Sequence, residues 1–356
     1  MSAVAVVGAG IVGASVAYHL ARRGVSVTLI DQAASPAAGV TGDSFAWIGD
    51  SGGDWPGGAE DLRGSVLTDY RRLEAELPGT AVRWTGSLAW SDGGEGFRPG
   101  RGQEWVGRSE IAALEPHLQS PPERAVYSPA DGGVDPLRLT ETLVQAARRL
   151  GAQVMLGSGV TSLEIAGGRV EGVMTSTGFH PASTVVLAAG TGVPALCEPL
   201  GVHLPVAVSP AFLIRVEAPS RLVRTILAGP HFEARELRDG RLLMTAPHAG
   251  ATSGAVLRRL AEHTVERLRS AFGGDVAVRL LGHRLGRRPM PPDGPIVGYV
   301  TPDRSVYVAV MHAAVTLAPT VGRLVADELV TGQPAAELRR CRPRGGSSSP
   351  PAGSNP

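Results

Sequence analysis

The sequence predicts an α/β protein: a dinucleotide-binding unit of Rossmann type, followed by a second set of strands. Two observations carry this. The chain opens as strand, glycine-rich turn, helix, strand, and acidic residue, all before residue 32. Far downstream, the apolar run Thr184–Leu187 enters the small-residue turn Ala188-Ala189-Gly190-Thr191-Gly192. At 356 residues the length suits about two domains.

The elements follow in order. Ala3–Val7 is a short apolar run bounded by glycine, as a buried parallel strand requires. Residues 11–23 have apolar residues at helical spacing and stop at Gly24, a C-cap. Residues 25–30 form the second strand, ending at Asp31, and residues 32–64 read as loop. A helix is expected over 65–77, a strand over 83–91, and a short helix over 109–114 capped by Ser109. An amphipathic helix spans 137–150 and ends at Gly151. Strands follow at 153–156, 160–165, 169–175 and 184–187. Runs at 212–216, 232–237 and 241–245 belong to the second sheet. A long helix over 254–272, strands near 277–281 and 306–310, and a last helix over 316–330 complete the pattern. The end of the chain, 339–356, is rich in Pro, Gly, Ser and Arg and is expected to be disordered.

Composition excludes several classes. Hydrophobic residues are 43% and charged residues 19%, enough for globular cores. A net charge of +1 without a basic block speaks against nucleic acid as a partner. No apolar run approaches the roughly 20 residues of a membrane span, and nothing before Ala3 reads as a signal peptide, so a cytoplasmic protein is expected. Cys197 and Cys341 make neither a disulfide framework nor a metal site, and no metal is expected. All 34 basic residues are arginine, so no lysine ammonium can take part in chemistry.

Gly8-Ala9-Gly10-Ile11-Val12-Gly13 matches GxGxxG in its full context, with strand before and helix after. The first glycine permits the tight turn, the second lets pyrophosphate approach the backbone, and the third packs helix on strand. The helix N-terminus offers N–H groups and positive dipole to phosphate. Asp31, near the expected spacing, accepts hydrogen bonds from ribose hydroxyls and would repel the 2′-phosphate of NADP. The motif itself does not choose between FAD and NAD.

With further motifs in one order, the chain resembles the D-amino-acid oxidase, glycine oxidase and sarcosine oxidase group of FAD enzymes over about residues 3–335. Besides Asp31 and the turn, the landmarks are Leu114-Glu115-Pro116, Gly133-Val134-Asp135-Pro136, Thr184–Gly190, Arg288-Pro289-Met290-Pro291-Pro292-Asp293-Gly294 and His312–Pro319. The resemblance implies an FAD-binding domain of separated segments, 1–85, 133–203 and 284–336. A mixed-sheet α+β substrate domain, 86–132 and 204–283, is inserted between them. It implies a cofactor set of Gly8, Ala9, Gly10, Ile11, Val12, Gly13, Asp31, Gln32, Thr41, Gly42, Ser44, Val160, Ala189, Gly190, Thr191, Ala313, Ala314, Val315 and Thr316. Val160 would meet adenine through its backbone, and 313–316 would approach the flavin N1/O2 edge. Arg288 matches the arginine that holds the substrate carboxylate; His248 and His312 fall at the catalytic face. The sequence departs from the group at Met311-His312-Ala313-Ala314, where relatives usually read Gly-His-Ser-Gly. Neither cysteine fits a cysteine-linkage motif, and no histidine occurs in 37–47, so the FAD is expected to be non-covalent. The lysine that the sarcosine oxidase branch places near flavin N5 is missing.

The expected function is therefore FAD-dependent oxidation of a C–N bond in a small amine or amino acid. Hydride passes to flavin N5, the imine hydrolyses, and oxygen or another acceptor removes the electrons. Two alternatives stand beside it: a flavoenzyme of the same fold acting on a C–OH or natural-product intermediate, and a flavin-binding protein without turnover.

Overall fold

A computed structural model describes residues 3–91 and 98–344. Ala3–Val7 lies at the centre of a six-stranded sheet, flanked in parallel by Ser26–Asp31 and Thr184–Leu187. Gln153–Leu156 and Val306–Val310 extend it in parallel on either side, and Ile296–Tyr299 closes one edge antiparallel. The strands are Val-rich because both faces are covered: Val306–Val310 is buried at every position. The antiparallel meander Val160–Ala166, Arg169–Thr175 and Gly178–Pro181 shares one of its cores.

On the other face, helix Ile11–Arg22 packs against the last helix, Ala314–Thr331. Their approach is close: a Cβ on Gly322 would lie 2.2 Å from the Ser15 Oγ, and that hydroxyl donates to the Ala318 carbonyl at 2.7 Å. Pro319 sits inside the last helix and has no N–H for the carbonyl of Val315. The buried Tyr70 hydroxyl donates to that carbonyl at 2.5 Å, so the proline leaves no orphaned acceptor.

The second sheet has eight strands. Its order is Arg279–Met290, Ala207–Glu217, Arg241–Thr245, Glu233–Arg238, Ile226–Ala228, Ser87–Ala89, Arg124–Ser128, Glu104–Gly107. All neighbours are antiparallel except Ile226–Ala228 with Ser87–Ala89. One face buries Phe212, Ile214, Leu242 and Met244 against helix Gly254–Ala271.

Several expectations need correction. Arg279–Met290 and Ala207–Glu217 are far longer than the runs expected at 277–281 and 212–216, and the boundary expected after residue 283 falls inside one strand. Their long pairing stabilises positions whose side chains are too polar to announce a strand. Only Ser87–Ala89 of 83–91 is strand, with Arg83 in an isolated bridge to Gly133. Helix Arg108–Leu114 starts from Gly107, not Ser109; the Gly107 N–H donates to the Glu110 carboxylate at 2.8 Å. The loop 32–64 contains the short strand Trp47–Ile48 and helix Ala59–Arg63. The tail expected to be disordered from 339 is packed through 344. Ala336–Cys341 is a 3-10 helix that buries Leu338 and Cys341, and Arg342 pairs with buried Glu328. Residues 345–356 lie outside the described residues. Among the described residues, no helix is long and apolar enough to cross a membrane.

Candidate functional site

Two adjoining cavities lie at the carboxyl edge of the central strand and the start of the helix that follows. The first, about 720 Å³, is lined by Gly8, Gly10, Ile11, Val12, Asp31, Gln32, Val160 and the turn 189–191. The second, about 590 Å³, opens toward the eight-stranded sheet. Ile11, Val40, Thr41, Asp43, Pro289, Met311 and Ala314 line both, so the two cavities share a wall.

The first cavity is made mostly of backbone. Gly8 has φ +109, and a Cβ there would lie 2.6 Å from the Ala188 carbonyl oxygen. A Cβ on Gly13 would lie 1.8 Å from the Gly8 oxygen. The glycine turn therefore nests against the turn after Thr184–Leu187, and any side chain would separate them. At Gly10 a Cβ would stand 3.2 Å from the Thr41 Oγ1, which itself accepts the Ile11 N–H at 3.2 Å. The first turn of this helix carries no acidic residue, so its positive end is not neutralised locally. Each Asp31 oxygen takes one backbone N–H, from Ala9 at 2.6 Å and Ala33 at 2.7 Å, and retains further acceptor capacity.

Three residues of the expected cofactor set line neither cavity. Ala9 is buried and braced by Asp31, Gly13 packs on Gly8, and Gly42 hydrogen-bonds to the Ala37 and Gly39 carbonyls. The others all border the space: Ser44, Ala313, Val315 and Thr316 on the second cavity, Thr41 and Ala314 on both.

The second cavity is made of side chains. It brings together Arg288, His248 and His312 from three separate parts of the chain. The Arg288 Nη2 donates to the Ser209 Oγ and the Pro210 carbonyl, each at 3.1 Å, while its buried Nε has no partner among the described residues. Burial pushes its guanidinium below the usual range, with Glu233 opposing. Burial, and then the charge of Arg288, hold the His312 imidazole below its ordinary value, which favours its neutral form. His248 stacks at a tilt near Phe212, 6.4 Å between ring centroids, and its buried Nε2 is unpartnered among the described residues.

The loop 41–47 joins the cavities and is held by arginines of the second sheet. Arg215 Nη2 donates to the Gly42 carbonyl at 2.6 Å. Arg235, almost wholly buried, donates to the Phe45 carbonyl at 2.6 Å and the Val134 carbonyl at 2.7 Å. Thr316 Oγ1 donates to the Trp47 carbonyl at 2.9 Å. Ala46 and Ala313, both on the second cavity, adopt left-handed backbone at φ 53, which costs an L residue roughly 1–2 kcal/mol each. Such strain gathers at sites where surrounding structure over-determines the chain.

Sequence reasoning missed Glu233, Phe45, Trp47, Phe212 and Phe232, all of which line the second cavity. Phe232 and Glu233 sit at a strand start, Phe45 and Trp47 in the loop 41–47, and Phe212 within the strand Ala207–Glu217, where no local pattern marks them as cavity residues. Cys197 and Cys341 are buried and line neither cavity, and burial raises their thiols to about 12 and about 11. No group of His, Cys, Asp and Glu able to hold a metal occurs among the described residues.

Comparison with known proteins agrees with this architecture. The profile of the family "DAO: FAD dependent oxidoreductase" matches residues 3–328. A D-amino acid dehydrogenase of Allorhizobium ampelinum is 30% identical over 65% of this chain, a match that spans only 56% of that enzyme. A D-amino acid dehydrogenase of Rhizobium rhizogenes is 27% identical over 93% of this chain and 96% of its own length. Among solved structures, L-amino acid deaminase from Proteus vulgaris superposes with a TM-score of 0.82 at 19% identity, covering 96% of this chain and 93% of that one.

Proposed function

The chain belongs to the DAO family of FAD-dependent oxidoreductases, and from that premise we propose that it oxidises the C–N bond of a small amino acid. The residues present fit FAD. The first cavity offers a helix N-terminus, a Gly10 with no side chain in the way, and the Asp31 carboxylate, the groups that pyrophosphate and ribose require. Gly8, Gly10, Ile11, Val12, Asp31 and Gln32 would hold the nucleotide half, with Val160 and 189–191 beside it. Thr41, Ser44 and 313–316 would hold the flavin half, with 313–316 supplying N–H groups at a helix start. When bound, FAD accepts the hydride from the substrate α-carbon. Both buried cysteines lie off the cavity walls and no histidine occurs in 37–47, which supports non-covalent attachment.

The observation that carries the substrate class is Arg288. It stands in the second cavity with a buried, unpartnered Nε and one Nη already anchored. A guanidinium so placed pairs with a carboxylate and fixes the atom next to it. The family relatives named above act on amino acids of opposite hand, D in two and L in one, so chirality is left to experiment. Burial and the charge of Arg288 disfavour the cationic form of His312, which suits it to a hydrogen-bonding role.

The test is anaerobic mixing of the flavin-loaded protein with a panel of D- and L-amino acids, simple amines and 2-hydroxy acids. Bleaching of the flavin by amino acids is expected. Bleaching by 2-hydroxy acids alone would replace this function with C–OH oxidation, and no bleaching by any member would reduce the protein to a flavin binder.

A further inference from the structure

The second cavity holds one more charge. Glu233 starts the strand Glu233–Arg238, is half-buried, and lines the same wall space as Arg288. Its carboxylate makes no hydrogen bond or ion pair with any described residue; its one interaction of note is the field of Arg288. The other acid on the cavity, Asp43, is accounted for, since its Oδ1 lies 3.8 Å from both Arg215 and Arg284. The Glu233 carboxylate therefore keeps its acceptors open to whatever enters the cavity. An arginine with a free N–H and a carboxylate with free acceptors, facing one cavity from two strands, form a dipolar receptor.

Building on the amino-acid function above, we propose that Glu233 receives the ammonium group of a zwitterionic substrate whose carboxylate is held by Arg288, and that it takes the proton the amine must lose before oxidation. The step is a proton transfer only. One N–H bond of the ammonium breaks, an O–H bond forms on the Glu233 carboxylate, and the nitrogen keeps the freed electron pair. The proton then leaves to solvent as product departs. Burial raises the Glu233 carboxyl above its ordinary range, against the pull of Arg288, which narrows its gap from the ammonium and makes it a better acceptor. His248 and His312 are the remaining titratable groups on this cavity, so a loss of preference with falling pH is assigned to Glu233 only where Glu233→Gln abolishes it.

The test compares matched ligands by spectral titration of the FAD-loaded, oxidised protein under anaerobic, short-time conditions. The pairs are glycine against acetate, each hand of alanine against propionate, and proline against cyclopentanecarboxylate. The wild type is expected to bind at least one amino acid about tenfold or more tightly than its deaminated partner. Glu233→Gln should remove that preference while leaving the simple carboxylates within about twofold. The pH dependence gives a second measurement if the variant folds poorly. The carboxyl, raised above 4.5 by burial, protonates as pH falls, so the wild-type preference should shrink between pH 7.5 and 4.5. A preference that Glu233→Gln leaves intact, one that is flat with pH, or no preference at all in the wild type overturns the proposal. Flavin bleaching by 2-hydroxy acids alone overturns the amino-acid function separately, because the binding ratios do not depend on turnover.

Discussion

The two cavities of this protein adjoin, yet they are built from different material. The first is backbone: glycines, small turns, a helix start and one carboxylate already occupied by two N–H groups. The second is side chain: Arg288, Glu233, His248, His312 and the aromatics Phe45, Trp47, Phe212 and Phe232. A site made of backbone is encoded by what residues lack, and where the glycine turn meets the facing turn, at Gly8 and Gly13, it tolerates no added atom. A site made of side chains is encoded by what residues carry, and each can be exchanged at a cost confined to its own contacts.

The largest expected effect breaks the backbone half. Gly13→Ala places a Cβ 1.8 Å from the Gly8 oxygen, so the turn must open and flavin retention should be lost altogether. Gly190→Ala in the facing turn meets nothing within 4 Å and carries only the left-handed cost at φ +57, about 1–2 kcal/mol. Flavin absorbance per chain after gel filtration separates the two. Equal retention in both would show that close approach is not what the glycine turn requires.

The side-chain half should fail differently. Arg288→Ala is expected to keep the flavin spectrum while weakening amino-acid binding by about 2–5 kcal/mol, as loss of a buried charge partner does. Arg288→Lys should rescue poorly, since an ammonium cannot present the planar fork. Titrations of both variants with the best substrate of the panel check this, and unchanged affinity in Arg288→Ala would remove it from the site.

The smallest effect comes from a histidine that belongs to neither cavity. His19 lies on helix Ile11–Arg22 with its Nε2 buried and unpartnered among the described residues. Burial, followed by the charge of Arg22, lowers its pKa from 6.5 to about 3. The unfolded chain therefore gains a proton below pH 6.5 that the folded chain refuses until about pH 3, and stability falls across that window. The slope is about 1.4 kcal/mol per pH unit, or about 2 kcal/mol between pH 6.5 and 5. His19→Gln should flatten that loss in urea melts at the two pH values. An identical slope in wild type and variant would show that acid acts elsewhere.

Much of the first half was legible because its determinants are local. GxGxxG followed by Asp31 specifies a turn, a helix start and a strand end within one short stretch, and the sheet then places them by parallel pairing. Arg288 and His312 were legible by resemblance of the motifs around them. Glu233 was not. It is one acid in the stretch Glu233–Arg238, where Glu236 is instead spent on Arg83 and on the backbone of Arg221 and Gly240. Nothing in the order of residues says which of the two carboxylates faces a cavity.

The sequence by itself determined the dinucleotide fold, through short-range patterns that survive without knowing what packs where, and the family and the flavin, through the resemblance that its motifs carry in one order. Only the tertiary structure decided that Arg279–Met290 is one continuous strand and that Arg215 and Arg235 clamp the joining loop. Tertiary structure alone also set Glu233, unpaired among the described residues, into the cavity of Arg288. The reason is physical. Strand length and side-chain partnership in a mixed sheet depend on neighbours tens to hundreds of residues away, and a charge acquires its meaning only from the charges that folding brings beside it.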